Sequence, residues 1–167
     1  MFELVVLSVF PAAVVFAGAM DLFTMTIPNR ISLVLVAAFL VLAPLAGLGP
    51  WQMASHFGAG LAVLAVGILL FIPGWIGGGD AKLAAAVALW VGFDNLVPFF
   101  FFVAMAGGLL AMAFGAFRGM PLPRPVLTEA WAVRLHDRRG GIPYGIALSA
   151  GALFVYPQTA WFVALAG

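Results

Sequence analysis

Apolar residues along this chain fall into six runs, separated by short polar breaks that hold most of the charged side chains. A bilayer core of about 30 Å is crossed by roughly 20 helical residues, and every backbone polar group inside it needs a partner within the protein. The pattern therefore predicts an all-α integral membrane protein, a single domain over residues 1–167 with about six transmembrane helices. The predicted spans are residues 4–20, 31–48, 53–72, 80–93, 96–117 and 143–165.

Two of these runs are irregular. The fourth, Ala81 to Phe93, is too short to cross a bilayer of ordinary thickness alone. It predicts either a helix that begins inside the preceding glycine segment or an end that lies in a local water-filled depression. In the sixth run, Pro157 predicts either a kink or an interfacial helix end.

The one long polar segment, residues 118–141, joins the fifth run to the sixth and is predicted to be a cytoplasmic loop. Its arginines are Arg118, Arg124, Arg134, Arg138 and Arg139. Leu127, Trp131 and Leu135 recur at helical spacing, which fits a helix lying on the membrane surface with Thr128 as its cap. A solvated connector with its prolines extended, from Pro121 to Pro125, is an equally good interpretation.

The composition and the position of the charges agree with this topology. Hydrophobic residues make up 65% of the chain, charged residues 8%, and the mean hydropathy is +1.19, whereas soluble domains are about a quarter charged. All seven Lys and Arg residues fall in the first, third and fifth connections. The positive-inside rule assigns these connections to the cytoplasm and both termini to the other side. Asp21 and Asp80 then lie at the cytoplasmic face, and Asp94 at the opposite one.

Several kinds of site are excluded by what the chain contains. Without cysteine there is no disulfide, no thiol nucleophile and no Cys-ligated zinc. His56 and His136 are far apart in sequence and show no ligand spacing, so we interpret both as structural and expect no metal and no cofactor. The glycine segment before Asp80 lacks the Gly-Lys-Ser/Thr of a phosphate-binding loop. We expect no nucleic-acid partner.

Two acids are the candidates for chemistry. Asp21 ends the first run, and Asp80 follows Gly77, Gly78 and Gly79 at the start of the fourth. A carboxylate at the edge of a hydrocarbon slab is costly and usually functional, while glycines give backbone freedom and allow close approach. The alternative is that both acids are interfacial helix caps, the role that we assign to Asp94.

A pair of carboxylates can hydrolyse a peptide bond without a metal or a thiol. One ionised carboxylate takes a proton from water, while its neutral partner protonates or hydrogen-bonds the scissile carbonyl. Two like charges a few ångströms apart cannot both ionise easily, so such a pair holds one proton between its two members. We therefore predict that Asp21 and Asp80 meet and act as a pair.

At these residues the chain resembles a known family, the type IV prepilin peptidases of the GxGD membrane aspartic protease class. The resemblance is carried by Asp21-Leu22 with Ile27-Pro28-Asn29, by Gly77-x-Gly79-Asp80 with Lys82-Leu83, and by Gly141-Ile142-Pro143-Tyr144-Gly145. It implies that Asp21 and Asp80 are the catalytic pair. It also implies residues that shape the site: Gly77, Gly78, Gly79, Lys82, Ile27, Pro28, Asn29, Pro143, Tyr144 and Gly145.

The resemblance implies a function as well. The family cuts the short basic leader from prepilins and pseudopilins at the cytoplasmic face of the bacterial inner membrane, with no cofactor. Its longer members carry paired CxxC motifs before the first aspartate and also methylate the new N-terminus. This Cys-free chain resembles the short, peptidase-only branch associated with Flp pili. We expect a prepilin or pseudopilin helix and membrane lipid as partners.

Some alternatives stay open from the sequence. Lys82 could bias the charge of Asp80, bind lipid phosphate, attract an acidic group of the substrate, or serve only as a topology anchor. A small proton-coupled transporter would also hold acids in its membrane helices, although these are expected near the midplane and in repeated halves. An inactive membrane subunit of a pilus machine is the third interpretation.

Overall fold

The computed structural model describes residues 2–123, 126, 128–138 and 140–166, and this part of the chain contains helices, turns and bends but no strand. Its α-helices are α1 (Phe2–Thr24), α2 (Asn29–Leu45), α3 (Pro50–Phe71), α4 (Gly78–Val91), α5 (Leu96–Phe117), α6 (Ala130–His136), α7 (Gly145–Val155) and α8 (Ala160–Ala166). Short 3₁₀ turns follow α4, at Phe93–Asn95, and α7, at Tyr156–Gln158. Four residues that the sequence analysis places in the polar loop lie outside the described residues: Arg124, Pro125, Leu127 and Arg139.

Within the described residues, three stretches are long and apolar enough to cross a membrane. They are Leu7–Thr24, Pro50–Phe71 and Phe93–Phe117, with mean hydropathies of 1.7, 2.0 and 2.2, and Asn29–Leu45 is a shorter apolar helix. Lipid-facing backbone must satisfy its own hydrogen bonds, which only helices and closed barrels achieve. The predicted class, an all-α membrane protein, is therefore confirmed.

The short helix α4 lies at the centre of the bundle. Every residue from Leu83 to Val91 is buried, and α4 packs against α2, α3 and α7. A helix that is apolar on all sides belongs in a protein interior. Because its neighbours cover it, α4 does not need the length of a lipid-exposed span, which explains why the fourth apolar run is short.

Small residues let α3 approach α4 closely. A side-chain Cβ at Gly67 would lie 2.9 Å from the Cβ of Ala81, and one at Gly60 would lie 3.2 Å from the carbonyl oxygen of Ala85. Lipid is as apolar as a leucine side chain, so helices in membranes associate mainly through such van der Waals contact rather than through the hydrophobic effect. This close contact sets the position, along the helix axis, at which the first turn of α4 packs against the last turns of α3.

Aromatic side chains hold the opposite end of α4. The Trp90 ring lies 5.1 Å from that of Phe10 in α1, and its indole N–H donates to the carbonyl oxygen of Leu35 in α2, at 2.9 Å. Phe10 also stacks on Tyr156 at 4.8 Å. A buried indole needs a hydrogen-bond acceptor, and here the acceptor joins α2 to the centre of the bundle.

The described basic residues gather at one end of the molecule, which we call the basic end. Their hydrogen bonds join α5 to residues 135–141, α6 to the end of α1, and α4 to the start of α2. This end holds the first turns of α2, α4 and α7. The assignment of this end to the cytoplasm remains a prediction.

Several local predictions need correction. Asp21 lies inside α1, which continues to Thr24 because the acid faces protein rather than solvent. Asp94 does not cap α5: Asn95 holds that position, and its side chain instead donates to the carbonyl oxygen of Val91. The sixth run does not form one helix, because the turn containing Pro157 separates α7 from α8.

The polar loop contains a short helix. Residues Ala130–His136 form α6, in which Ala132 and Leu135 are buried. Its N-cap position is Glu129 rather than the predicted Thr128, and no side chain there makes a capping hydrogen bond. The Trp131 ring packs edge-on against Phe23 of α1, with 5.5 Å between centroids, so α6 lies against the basic end of the bundle.

Candidate active site

Asp21 is a buried carboxylate held by the first turn of another helix. It lies in the last turn of α1 with 6% of its surface exposed. Its Oδ2 accepts a hydrogen bond from the main-chain N–H of Gly145, the first residue of α7, at 2.7 Å. The free N–H groups at a helix N-terminus carry partial positive charge and stabilise an anion. The start of α7 therefore holds the Asp21 carboxyl group in position.

Asp80 occupies a similar position at the start of α4. It is partly exposed and hydrogen-bonds the main chain of Gly77, the residue that precedes the helix. A carboxylate three residues into a helix that reaches back to the capping residue is one half of a capping box.

Ile27 lies between the two acid-bearing segments. It is buried in the turn between α1 and α2. A Cβ built on Gly79 would meet the Cβ of Ile27 at 3.2 Å, and one on Gly145 would meet its Cδ1 at 3.0 Å. Since Gly79 precedes Asp80 and Gly145 binds Asp21, this one side chain contacts the supports of both acids and sets the space between them.

The turn that carries Ile27 has an unusual start. Met25 adopts a left-handed conformation, with φ of 55°, which is uncommon for a residue with a side chain. The Thr24 hydroxyl donates to the carbonyl oxygen of Met20 at 2.6 Å, and Pro28 is the extended residue at which α2 begins. The sharp reversal brings Ile27 back under Asp21.

The glycines act through close approach. A Cβ on Gly145 would lie 2.8 Å from the Cβ of Asp21 and 2.9 Å from its Oδ2, and one on Gly77 would lie 2.8 Å from the Oδ2 of Asp80. The prediction that residues 77–79 need backbone freedom is wrong, because none of them has a positive φ. Left-handed glycines occur instead at Gly74 and Gly92.

The segment before α7 closes the same site. Pro143 is buried, and Tyr144 caps the helix with its ring packed on Gly107 of α5, where an added Cβ would come within 2.8 Å. Ser149 lies one turn into α7, with its hydroxyl 2.5 Å from the carbonyl oxygen of Val14 and 2.7 Å from that of Gly145. These contacts hold the start of α7 against α1.

Asp80 opens into a large apolar cleft of about 1050 Å³, which we call the acid cleft. Helix α4 contributes Asp80, Ala81 and Ala84 to its lining, α3 and α5 form the walls, and Arg118 and Tyr144 lie on its border. An apolar cleft with a few convergent polar groups is the usual form of a ligand site.

Arg118 is a candidate residue that the sequence analysis treated only as a topology charge. Its Nε donates to the carbonyl oxygen of Leu135 at 2.8 Å and its Nη2 to that of Gly141 at 2.7 Å. It thereby ties the end of α5 to the segment that leads into α7. The available signal was a single arginine directly after a long apolar run, in a chain with few charges.

Lys82 and Asn29 lie apart from the acids. The Lys82 ammonium donates to the Asn29 Oδ1 at 3.0 Å. Both residues line a second cavity of about 470 Å³ on the other side of α4, which we call the lysine groove. Its α4 residues are Lys82, Ala85, Ala86 and Leu89. The structure thus brings together Asp21, Asp80, residues 77–79, Ile27 and Gly145, but directs Lys82 elsewhere.

The histidines and acids do not converge on a metal-type site in the described part of the chain. No group of three His, Cys, Asp or Glu residues lies close enough there to hold a metal ion. His56 Nδ1 lies 2.8 Å from the carbonyl oxygen of Leu89, and the His136 ring packs edge-on against Phe117 at 5.2 Å. Both rings therefore make packing contacts away from Asp21 and Asp80.

Comparison with known proteins identifies a family for this chain. The sequence pattern of the type IV leader peptidase family matches residues 8–112, which include both aspartates. A curated relative is the prepilin leader peptidase/N-methyltransferase of Bacillus subtilis (strain 168), 32% identical over 157 residues. The match covers 90% of this chain but only 56% of the relative. No solved structure matches the chain. The match to the family pattern shows that this chain belongs to the type IV leader peptidase family.

Proposed function

We propose that this chain is a membrane aspartic endopeptidase that removes the leader peptide from type IV prepilins or pseudopilins. The observation that supports the proposal is the contact of one side chain, Ile27, with both Gly145, whose N–H binds Asp21, and Gly79, which precedes Asp80. The family and the name of the Bacillus relative support the substrate class.

The proposed reaction is hydrolysis of a peptide bond by two carboxyl groups that hold one proton between them. One carboxylate removes a proton from a water molecule between the two acids, and the water oxygen attacks the carbonyl carbon of the scissile bond. The other carboxyl donates its proton, first as a hydrogen bond to the carbonyl oxygen and then to the leaving nitrogen as the C–N bond breaks. The proton taken from water remains on the pair, which is ready for the next cycle.

Two helix N-termini support this chemistry. Asp21 is oriented by the first N–H of α7, and Asp80 by the main chain just before α4. Both helices direct their positive ends toward the pair, so the single negative charge that the mechanism needs is stabilised where water is scarce. The close contacts of Gly77 and Gly145 hold the two carboxyl groups with little freedom to rotate away.

We further propose that the apolar segment of the substrate lies in the acid cleft, with its scissile bond beside Asp80. The walls of the cleft are apolar and come from α3 and α5. Asp80 lies at the basic end of the bundle, where a bond just outside the hydrocarbon would be presented. By the positive-inside rule this end faces the cytoplasm.

The finer assignment is a Flp-type peptidase that does not methylate its product. It is supported by the Cys-free sequence, since the resemblance associates paired CxxC motifs with the longer, methylating members. We place the enzyme in the bacterial inner membrane.

The test is cleavage of a Flp-type prepilin co-expressed with the chain in a host that lacks its own prepilin peptidase. We expect one new N-terminus by N-terminal sequencing, and a mature mass without an added methyl group even when a methyl donor is supplied. The Asp80→Asn variant, checked for membrane insertion, is the control and should leave the precursor intact. An uncut precursor with the inserted wild-type chain would refute the proposed activity, and a gain of one methyl would refute the peptidase-only assignment.

A further inference from the structure

The lysine groove is a separate cavity, on the other side of α4 from the acid cleft. It lies between α2 and α3, with α4 as its floor. Its walls are apolar, and Leu33 and Leu61 at its rim are exposed on the outer surface of the bundle. An outer surface made of apolar helices faces hydrocarbon, so the groove opens sideways to lipid rather than to water.

The groove is polar at one end. Lys82 and Asn29, joined by the 3.0 Å hydrogen bond, are lining residues at the basic end of the bundle. In the described part of the chain no acidic side chain forms an ion pair with Lys82. An ammonium group has three N–H donors, so Lys82 retains donors and a full positive charge for an anion.

Ser32 supplies a second, independent sign of a missing ligand. It lines the groove, is 9% exposed, and its Oγ has no hydrogen-bond partner. A buried hydroxyl without a partner costs free energy. An acceptor atom in the groove would satisfy the serine.

The order of these groups with depth matches one class of molecule. Ser32 follows Asn29 by three residues, which places it about 4.5 Å further into the membrane along α2. Below it the lining continues through apolar residues to Val36, about 10 Å from Asn29. A glycerophospholipid presents the same sequence of chemistry with depth, namely a phosphate, then ester oxygens, then a hydrocarbon chain.

We propose that the lysine groove binds one acyl chain of an anionic glycerophospholipid. Its phosphate contacts Lys82 and Asn29, an ester oxygen accepts a hydrogen bond from Ser32, and the chain fills the space between α2 and α3. Anionic lipid is favoured because each Lys near a membrane surface gains from negative surface potential. The site is independent of the peptidase assignment.

A transmembrane helix is the other conceivable occupant. A helix of about 10 Å diameter occupies roughly 800 Å³ over the same 10 Å of depth, whereas the groove holds about 470 Å³. The smaller volume of the groove therefore favours a lipid chain.

The first test measures lipid retention by native mass spectrometry on the purified full chain, stripped of lipid in detergent. We expect dioleoyl phosphatidylglycerol to bind. Dioleoylglycerol, which lacks the phosphate, and inorganic phosphate, which lacks the acyl chains, should each bind at least about tenfold more weakly. Lys82→Gln should weaken the phospholipid about fivefold, which corresponds to about 1 kcal/mol. Lys82→Arg should retain binding, and so should Arg138→Gln, which removes a charge elsewhere at the basic end.

The second test fills the groove without touching its cation. Leu61 and Leu69 both lie on α3 and are 64% and 68% exposed, but only Leu61 lines the groove. Leu61→Trp should weaken phosphatidylglycerol binding at least as much as Lys82→Gln, while Leu69→Trp should not. Unchanged binding in both Lys82→Gln and Leu61→Trp would overturn the proposal. Equal losses in the two tryptophan variants would also overturn it, by indicating non-specific annular lipid.

Discussion

The two sides of α4 differ in charge although they begin in the same helical turn. Asp80 opens into the acid cleft, while Lys82, only two residues later, lies at the end of the lysine groove. Two residues along an α-helix rotate the side-chain direction by about 200°. The helix therefore separates an acid and a base that are neighbours in sequence, and the carboxylate is not neutralised by the adjacent ammonium.

The same difference shows what each side requires. On the acid side the supports are main-chain groups from α7 and from Gly77, which are fixed and cannot swing away. On the lysine side the support is one flexible ammonium and one amide. Fixed dipoles suit a charge that must be held in place during a reaction, whereas a flexible cation suits a headgroup of variable shape.

The largest expected effect removes one acid of the pair. Asp21→Asn and Asp80→Asn should each lower the rate of prepilin cleavage about 10³-fold or more, because an amide can neither accept nor share the proton. The double variant should be no slower than either single one, since residues that act as a unit are not additive. The wild-type pH profile should be bell-shaped, with one limb for the base and one for the acid.

The control for this prediction is Asp94→Asn, at the opposite end of α4, which should remain active. Membrane insertion and thermal unfolding of each variant should be measured alongside cleavage. Substantial cleavage by either single Asn variant at these positions would contradict the paired-acid mechanism. Loss of folding in both would favour the interpretation of Asp21 and Asp80 as helix caps.

Much of the fold was predictable because the bilayer allows few structures. Long apolar runs must be helices there, and the predicted all-α class followed from that constraint. The centrality of α4 was not predictable in the same way, since a short apolar run gives no information about what covers it. The extension of α1 past Asp21 depends on burial by other helices, which the local sequence does not encode.

The site was predictable to a similar extent. The motifs predicted that Asp21 and Asp80 would meet, and in the structure Ile27 contacts both Gly79, beside Asp80, and Gly145, which binds Asp21; the pairing itself stays a prediction. The N–H of Gly145 as the partner of Asp21 was hidden, because 124 residues separate the two in sequence. Grouping Lys82 with the acids followed from adjacency in a motif, whereas helical periodicity alone would have placed it on the other side.

The second prediction tests whether the main-chain support of Asp21 at Gly145 must stay in place for cleavage. Gly145→Ala should slow cleavage about 100-fold, because the new Cβ would come within 2.9 Å of the Asp21 carboxylate and displace it, and displacement of about 1 Å can cost that much. The matched control is Gly108→Ala in α5, where an added Cβ meets nothing within 4 Å. Comparable losses in both variants would show that the effect is not specific to Asp21.

The third prediction concerns the tie between α5 and the start of α7. Arg118→Met keeps an apolar stem but removes the hydrogen bonds to Leu135 and Gly141, so the segment before Gly145 should loosen. Cleavage should fall about tenfold, the effect of roughly one charge-assisted hydrogen bond. The control is Arg134→Met, because the guanidinium hydrogen bond of Arg134 to the carbonyl oxygen of Phe23 is long, at 3.5 Å. An Arg118→Met rate equal to wild type would remove Arg118 from the set of positioning residues.

The fourth prediction should change activity least and tests how the two ends of α4 face the membrane. Ser55 lies in the first turns of α3, at the end opposite the acids, and Gly119 lies just after α5 at the basic end; both are exposed. Because the chain has no cysteine, Ser55→Cys and Gly119→Cys each provide a single thiol. An impermeant thiol reagent should label position 119 only from the cytoplasm and position 55 only from the other side, while both variants still cleave prepilin.

Labelling of both positions from the cytoplasm would contradict the predicted topology. Labelling of position 119 from outside would invert it, and would place the acid pair and the phosphate end of the lysine groove together on the wrong face.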